Sequence, residues 1–210
     1  MVRLVNIAGA VIGIAALVLQ FSITVPASME AGRSLPGSVV YFFSFFTILT
    51  NILAVLVHLN ALTGRPEAFA RSTWRGGIAV AIAVVFLVYH ILLADLWKPE
   101  GLFYVCDVAL HYVTPALFVL WWMMTADGSL GWRHLFWWLV WPVGYAVYAL
   151  ARAPIAGEVP YPFLDAAVIG FPRVLLAIAA IALLFIAVGV VFLAYDYLVG
   201  RRRSRAVVNA

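Results

Sequence analysis

Charged residues and cysteines are both scarce in this chain of 210 residues. Only 10% of the residues are charged, 66% are hydrophobic, and the mean hydropathy is +1.08. Soluble globular domains carry about 25% charged residues, so the composition excludes that class of protein. The single cysteine, Cys106, excludes an intramolecular disulfide and a zinc site built from thiolates. The sequence therefore indicates an integral membrane protein without redox chemistry.

Six apolar stretches are each long enough to cross a bilayer as a helix, which takes roughly 20 residues. They cover residues 4–26, 38–60, 76–97, 107–125, 133–152 and 173–199. The first stretch lacks a small-residue cleavage site, so we expect a retained helix and not a signal peptide. No internal repeat or soluble segment interrupts the pattern. The sequence predicts an all-α polytopic membrane protein, a six-transmembrane-helix bundle that forms one domain over residues 1–210.

Basic residues are distributed unequally between the two ends of these predicted helices. Nine fall on one side, namely Arg3, Arg65, Arg71, Arg75, Arg133, Arg201, Arg202, Arg203 and Arg205, and four on the other, namely Arg33, Lys98, Arg152 and Arg173. Because Lys and Arg of short loops are retained in the cytoplasm, we expect both termini to be cytoplasmic. The run from Arg201 to Arg205 directly follows a membrane helix, where a basic run contacts anionic lipid or fixes orientation. No nucleic-acid partner is therefore expected.

Two polar residues inside the apolar stretches are the best indication of function, because a polar group in hydrocarbon is costly unless it has a partner. They are Thr47 in FSFFTILTNILAVLVH and His111 in CDVALHYVTPALFVLWW. A buried hydroxyl and a buried imidazole could form a nucleophile and its base. Helical geometry predicts that Thr47 lies about ten residues, or roughly 15 Å, below the outer end of the second helix.

Neighbouring polar residues could support such a pair. Asp107 precedes His111 by four residues, so its carboxylate could hold the tautomer of the imidazole and stabilise its charged form. Asn51 shares a helical face with Thr47, and either its amide or a backbone N–H freed near a proline could stabilise an oxyanion. His90 and Asp95, in the third stretch, are candidates for lining a cavity.

Two alternatives do not involve this chemistry. His90, Asp95, Asp107 and His111 could together hold zinc or iron, but the chain has no close pair of histidines and no HExxH motif, so no metal or cofactor is expected. Thr47, Asn51 and His111 could instead form an interhelical polar cluster. That arrangement would suit a non-enzymatic carrier of lipids or small molecules, or a scaffold. A carrier should show inverted repeats or helices broken near the membrane midplane. The sequence has no such repeat, and Pro115 and Pro142 are the only prolines well inside the predicted helices.

The longest connection, residues 152–172, is rich in proline and carries the apolar residues Tyr161, Phe163 and Leu164. Such a composition predicts a structured re-entrant or interfacial loop that roofs a cavity. Tyr161 and Asp165 are its candidate cavity-lining residues.

Three segments, in this order along the chain, resemble a known family. They are FFTILTN with Thr47, LHYVTP with His111 and Pro115, and VPYPFLD from Val159 to Asp165 with Gly170 and Arg173 beyond it. They are similar to segments of the androgen-induced-gene and ADTRP-like membrane proteins, and more closely to those of their bacterial relatives. That family comprises small multi-span hydrolases of fatty acid esters of hydroxy fatty acids.

The resemblance implies a lipid ester hydrolase of the bacterial plasma membrane, with an acyl ester as its substrate. Thr47 corresponds to the nucleophile and His111 to the catalytic histidine; the choice of Thr47 over the nearby Thr50 rests on the resemblance alone. The animal members carry an Asn and a second His just before the catalytic His, where this chain has Asp107 and Val108. A different relay and a different lipid substrate are therefore compatible with the sequence.

Overall fold

The structure, a computed structural model, describes residues 1–208 and side chains as far as Arg203. The side chain of Arg205, which enters the prediction of orientation, lies outside the described residues. All regular elements of the described chain are helical, and six helices are long and apolar enough to cross a membrane. The prediction of an all-α, six-helix membrane bundle is confirmed.

The six membrane helices are numbered as spans 1 to 6 in chain order. They are Val2–Glu30, Phe46–Thr63, Ser72–Leu93, Gly101–Thr125, Arg133–Ala156 and Phe171–Arg203, and the last helix continues to Val208. Two short α-helices, Leu35–Phe42 and Ala166–Ile169, and two 3-10 turns, Glu67–Ala70 and Pro162–Leu164, lie between them. Spans 3 and 4 each contain one π-helical turn, Tyr89–Leu93 and Ala109–Val113 respectively.

Span 3 lies at the centre of the bundle and packs against spans 2, 4, 5 and 6. Its glycines allow this close approach, because a Cβ atom on Gly76 or Gly77 would overlap the ring of Trp138 in span 5. The indole N–H of Trp138 donates to the carbonyl oxygen of Thr73 at 2.8 Å. Small residues and interhelical hydrogen bonds of this kind hold helices together in lipid.

The helix predicted over residues 38–60 is interrupted before span 2, which the sequence did not predict. A short helix ends at Phe42 and span 2 begins only at Phe46. Polar partners stabilise the break, since the Ser44 hydroxyl donates to the carbonyl of Tyr41 at 2.6 Å and the Ser44 carbonyl accepts from the Tyr145 hydroxyl at 2.8 Å. The predicted continuous helix over 38–60 is therefore wrong, and Thr47 lies in the first turn of span 2.

Candidate active site

The hydroxyl of Thr47 lies against the imidazole of His111, although 64 residues separate them in sequence. The distance from Thr47 Oγ1 to His111 Nε2 is 3.3 Å. His111 belongs to the π-helical turn of span 4. Pro115 favours that turn, because it has no N–H to donate to the His111 carbonyl in an α-helical register. The π turn sets the direction in which the ring projects.

The other nitrogen of the His111 ring contacts Asp107 twice. Nδ1 lies 3.0 Å from the backbone carbonyl oxygen of Asp107 and 3.2 Å from its carboxylate Oδ1. A carbonyl oxygen only accepts hydrogen bonds, so the proton of the neutral ring is on Nδ1. Nε2 then presents its lone pair to the Thr47 hydroxyl, which is the tautomer that a general base requires.

Tyr89, in the π-helical turn of span 3, fixes the same histidine from another side. Its ring stacks on that of His111, with the centroids 3.7 Å apart and the planes 12° apart. Its hydroxyl donates to Asp107 Oδ2 at 2.5 Å. Sequence reasoning missed Tyr89, because a tyrosine in an apolar helix is ordinary until its hydroxyl is seen to reach a buried carboxylate.

Thr50 and Asn51 have other partners. The buried Thr50 hydroxyl accepts a hydrogen bond from the indole N–H of Trp141 at 3.2 Å, so it faces span 5. Asn51 Nδ2 donates to the carbonyls of Thr47 at 2.9 Å and Leu110 at 3.2 Å, and its Oδ1 accepts from the Thr114 hydroxyl. Both amide hydrogens are occupied, so Asn51 has no donor for an oxyanion. It instead connects span 2 to the π-helical turn of span 4.

An apolar, partly open cavity reaches Thr47. Spans 3, 5 and 6 form its walls, largely through Val84, Val85, Val88, Val143, Ala146, Ile178, Ile181 and Phe185. The loop after span 5 covers it with Tyr161, Phe163 and Leu164. Small-molecule sites combine mostly apolar walls with a few polar groups, and the lining of this cavity has that character.

Tyr161 brings a polar group of that loop to Thr47. Its hydroxyl oxygen accepts a hydrogen bond from the Thr47 backbone N–H at 3.3 Å and lies 3.5 Å from Thr47 Oγ1. Burial raises the pKa of Tyr161 above its ordinary value, although hydrogen bonds to Thr47 act in the opposite direction. The phenol therefore stays protonated at neutral pH and keeps a hydrogen to donate.

Three other candidates do not line the cavity. His90 is exposed on the bundle surface, where its Nδ1 lies 3.2 Å from the Tyr112 hydroxyl, because successive helical residues point about 100° apart and Tyr89 faces inward. Asp95 is exposed beyond the end of span 3. Asp165 caps the helix Ala166–Ile169 by accepting from two backbone N–H groups. None of the three is therefore among the residues that line this cavity.

The alternative metal site is not assembled either. Asp107 and His111 are in contact, but His90 and Asp95 are directed elsewhere, as described above. Among the described residues no three His, Cys, Asp or Glu side chains lie close enough together to hold a metal ion.

Two further buried polar groups lie toward the other end of the bundle. Asp196 of span 6 accepts hydrogen bonds from the backbone N–H groups of Asp127, Gly128 and Leu130 at 2.9–3.2 Å. An acid inside an apolar helix is a signal that could have identified it from sequence. His58 of span 2 is also buried, and its Nδ1 lies 2.6 Å from Asn6 Oδ1.

Comparison of the chain with protein-family models, with curated proteins and with solved structures finds no match in any of the three. The functional interpretation therefore depends on the residues and geometry of this chain.

Proposed function

We propose that this protein is an intramembrane hydrolase of lipid acyl esters, with Thr47 as the nucleophile and His111 as general base and then general acid. The observation that supports this most is the 3.3 Å distance from Thr47 Oγ1 to His111 Nε2 beside an apolar cavity. A threonine hydroxyl is a weak nucleophile at neutral pH and needs a base within hydrogen-bond reach. His111 meets that requirement for Thr47, whereas Thr50 bonds to Trp141.

The proposed reaction has two steps. Thr47 Oγ1 attacks the carbonyl carbon of the ester while its proton moves to His111 Nε2. The C–O bond of the ester then breaks, the leaving alcohol takes that proton, and the acyl group stays on Thr47. His111 next removes a proton from water, which attacks the acyl-threonine; the bond to Thr47 Oγ1 breaks, His111 returns the proton to that oxygen, and the fatty acid is released. Asp107 stabilises the imidazolium in both steps, and Tyr89 holds the carboxylate and the ring in place.

The cavity supports a lipid substrate. Its apolar walls suit an acyl chain, and Thr47 is among its few polar positions. Val143, which lines the cavity, is 48% exposed, so the cavity reaches the accessible surface beside span 5, and we expect an acyl chain to enter there from the bilayer. With the resemblance described above, these features favour fatty acid esters of hydroxy fatty acids or similar acyl esters.

The proposed orientation puts the reaction near the outer face of a bacterial plasma membrane. Thr47 is in the first turn of span 2, at the end of the bundle that carries Arg33, Lys98, Arg152 and Arg173. That end has four basic residues against nine at the other, so the positive-inside rule predicts that it faces outward and that both termini are cytoplasmic.

A carrier or scaffold is the second candidate, and the bonds of Asn51 favour it. They join Thr47, Leu110 and Thr114 into an interhelical cluster, which would stabilise the bundle without any reaction. A carrier would bind the ester without forming a covalent bond to Thr47.

Matched valine substitutions test the proposal, because valine removes a threonine hydroxyl and keeps the branched shape. We expect purified protein in lipid nanodiscs to hydrolyse a long-chain p-nitrophenyl ester and to be labelled by a fluorophosphonate at Thr47. Thr47→Val should abolish hydrolysis and labelling, whereas Thr50→Val should retain hydrolysis and labelling. His111→Ala should lower kcat/KM for the ester by about 10²–10⁴-fold. Unchanged turnover and labelling in Thr47→Val or His111→Ala would refute the hydrolase, and ester binding without labelling would favour the carrier.

A further inference from the structure

The tetrahedral intermediate of the proposed reaction needs hydrogen-bond donors for its oxyanion, and Asn51 has none to offer. Such donors act best when they are fixed beforehand, about 2.7–3.1 Å from the developing charge. Three tyrosine hydroxyls belong to residues lining the cavity. The Tyr89 hydroxyl donates to Asp107, and the Tyr145 hydroxyl donates to the Ser44 carbonyl. The third hydroxyl, that of Tyr161, lies beside the attacking oxygen.

We infer that the Tyr161 hydroxyl and the backbone N–H of Thr47 together form the oxyanion site. This inference rests on the proposed function. The Tyr161 hydroxyl lies 3.5 Å from Thr47 Oγ1 and 3.3 Å from Thr47 N. An ester carbonyl whose carbon is attacked by Thr47 Oγ1 brings its oxygen into this space, where it replaces Tyr161 as the acceptor for the Thr47 N–H. The Tyr161 O–H then donates to the same oxygen.

The break before span 2 gives the Thr47 N–H this role. In the middle of a helix the N–H would donate to a carbonyl four residues back, but the first N–H groups of a helix have no partner of that kind. Span 2 begins at Phe46, so the Thr47 N–H is free for a group from outside the helix. The partial positive charge at a helix N-terminus also favours a negative oxygen there. The break therefore brings nucleophile and oxyanion donor into one residue.

The loop after span 5 positions the second donor. Tyr161 directly precedes the 3-10 turn Pro162–Leu164, whose Leu164 is buried against the bundle. Its ring stacks on Phe163 with a 5° angle between the planes and meets Phe45 edge-on. These contacts hold the phenol in place before the ester binds, as preorganised stabilisation of an oxyanion requires.

The test compares an oxygen ester with the thionoester of the same acyl chain, in which sulfur replaces the carbonyl oxygen. Sulfur is a weak hydrogen-bond acceptor, so an oxyanion donor accelerates the oxygen ester far more than the thionoester. We expect Tyr161→Phe to lower kcat for the oxygen ester by about 10²–10³-fold, with little change in KM and a much smaller loss for the thionoester. The ratio of kcat for the oxygen ester to kcat for the thionoester should therefore fall far below its wild-type value.

Tyr195→Phe is the matched control, because it removes a tyrosine hydroxyl that donates to the Met123 carbonyl at 3.0 Å, and Tyr195 does not line the cavity. Its kcat ratio should stay at the wild-type value. Both esters are measured on one preparation, so a partly unfolded sample does not alter the ratio. An unchanged ratio in Tyr161→Phe would overturn the inference and leave the hydrolase intact. Absence of His111-dependent turnover in the wild-type protein would overturn both.

Discussion

Replacement of Asp107 by asparagine separates two roles of that residue. In Ser-His-Asp triads the corresponding change costs about 10⁴-fold in kcat, because the histidine adopts the wrong tautomer. Here the backbone carbonyl of Asp107 also accepts from His111 Nδ1, at 3.0 Å against 3.2 Å for the carboxylate. The backbone contact survives the substitution, so we expect the tautomer to be retained. What is lost is the negative charge that stabilises the imidazolium.

The size of the effect follows from that difference. Hydrogen bonds to charged groups contribute about 1.5–3 kcal/mol, and each 1.36 kcal/mol changes a rate about tenfold. Asp107→Asn should therefore lower kcat by about 10- to 150-fold, with the asparagine carbonyl toward His111 and its amide toward the Tyr89 oxygen. This loss is much smaller than the one found in triads.

Initial rates with a p-nitrophenyl ester give the measurement, corrected for the active fraction by fluorophosphonate titration. His111→Ala, measured in parallel, defines the rate without any base. A loss near 10⁴-fold would mean that the backbone carbonyl does not hold the tautomer. No loss at all would mean that the carboxylate does not act on His111, and either result would refute the reasoning.

Two further predictions concern stability at the two ends of the bundle. Burial opposes ionisation of Glu158, but the guanidinium groups of Arg152 and Arg33 outweigh it and hold the pKa of that carboxyl below its ordinary value. Stability from these ion pairs is therefore complete above the ordinary glutamate pKa, about 4.3, and is lost as the pH falls through the lower pKa of Glu158. Thermal unfolding should show this loss in wild type and not in Glu158→Gln; identical pH profiles would contradict it. Asp196→Asn puts an amide where backbone N–H groups such as that of Leu130 need an acceptor, so unfolding should become easier by about 1–3 kcal/mol while ester turnover in the folded protein stays the same. A stability equal to wild type would show that these hydrogen bonds contribute little.

Helix boundaries and side-chain directions were less predictable than the number of spans. The apolar run through residues 38–60 has no proline or charge to mark an end, yet it breaks because distant groups, such as the Tyr145 hydroxyl, satisfy its backbone. His90 was expected in the cavity, but Tyr89, its neighbour in the π-helical turn of span 3, faces inward, and His90 is exposed on the surface. Neither partner choice nor π-helical register is encoded in the local pattern of polar and apolar residues.

The sequence by itself determined that this chain is a six-helix membrane bundle, because a long apolar run in lipid can satisfy its own backbone only as a helix. It also drew attention to Thr47 and His111, since polar groups at that depth need partners. Only the tertiary structure decided which groups meet: Thr47 and not Thr50 contacts His111, and Tyr161 and not Asn51 offers a donor. These contacts depend on the relative rotation of separate helices, which the break before span 2 and the π-helical turns set through interactions between segments far apart in sequence.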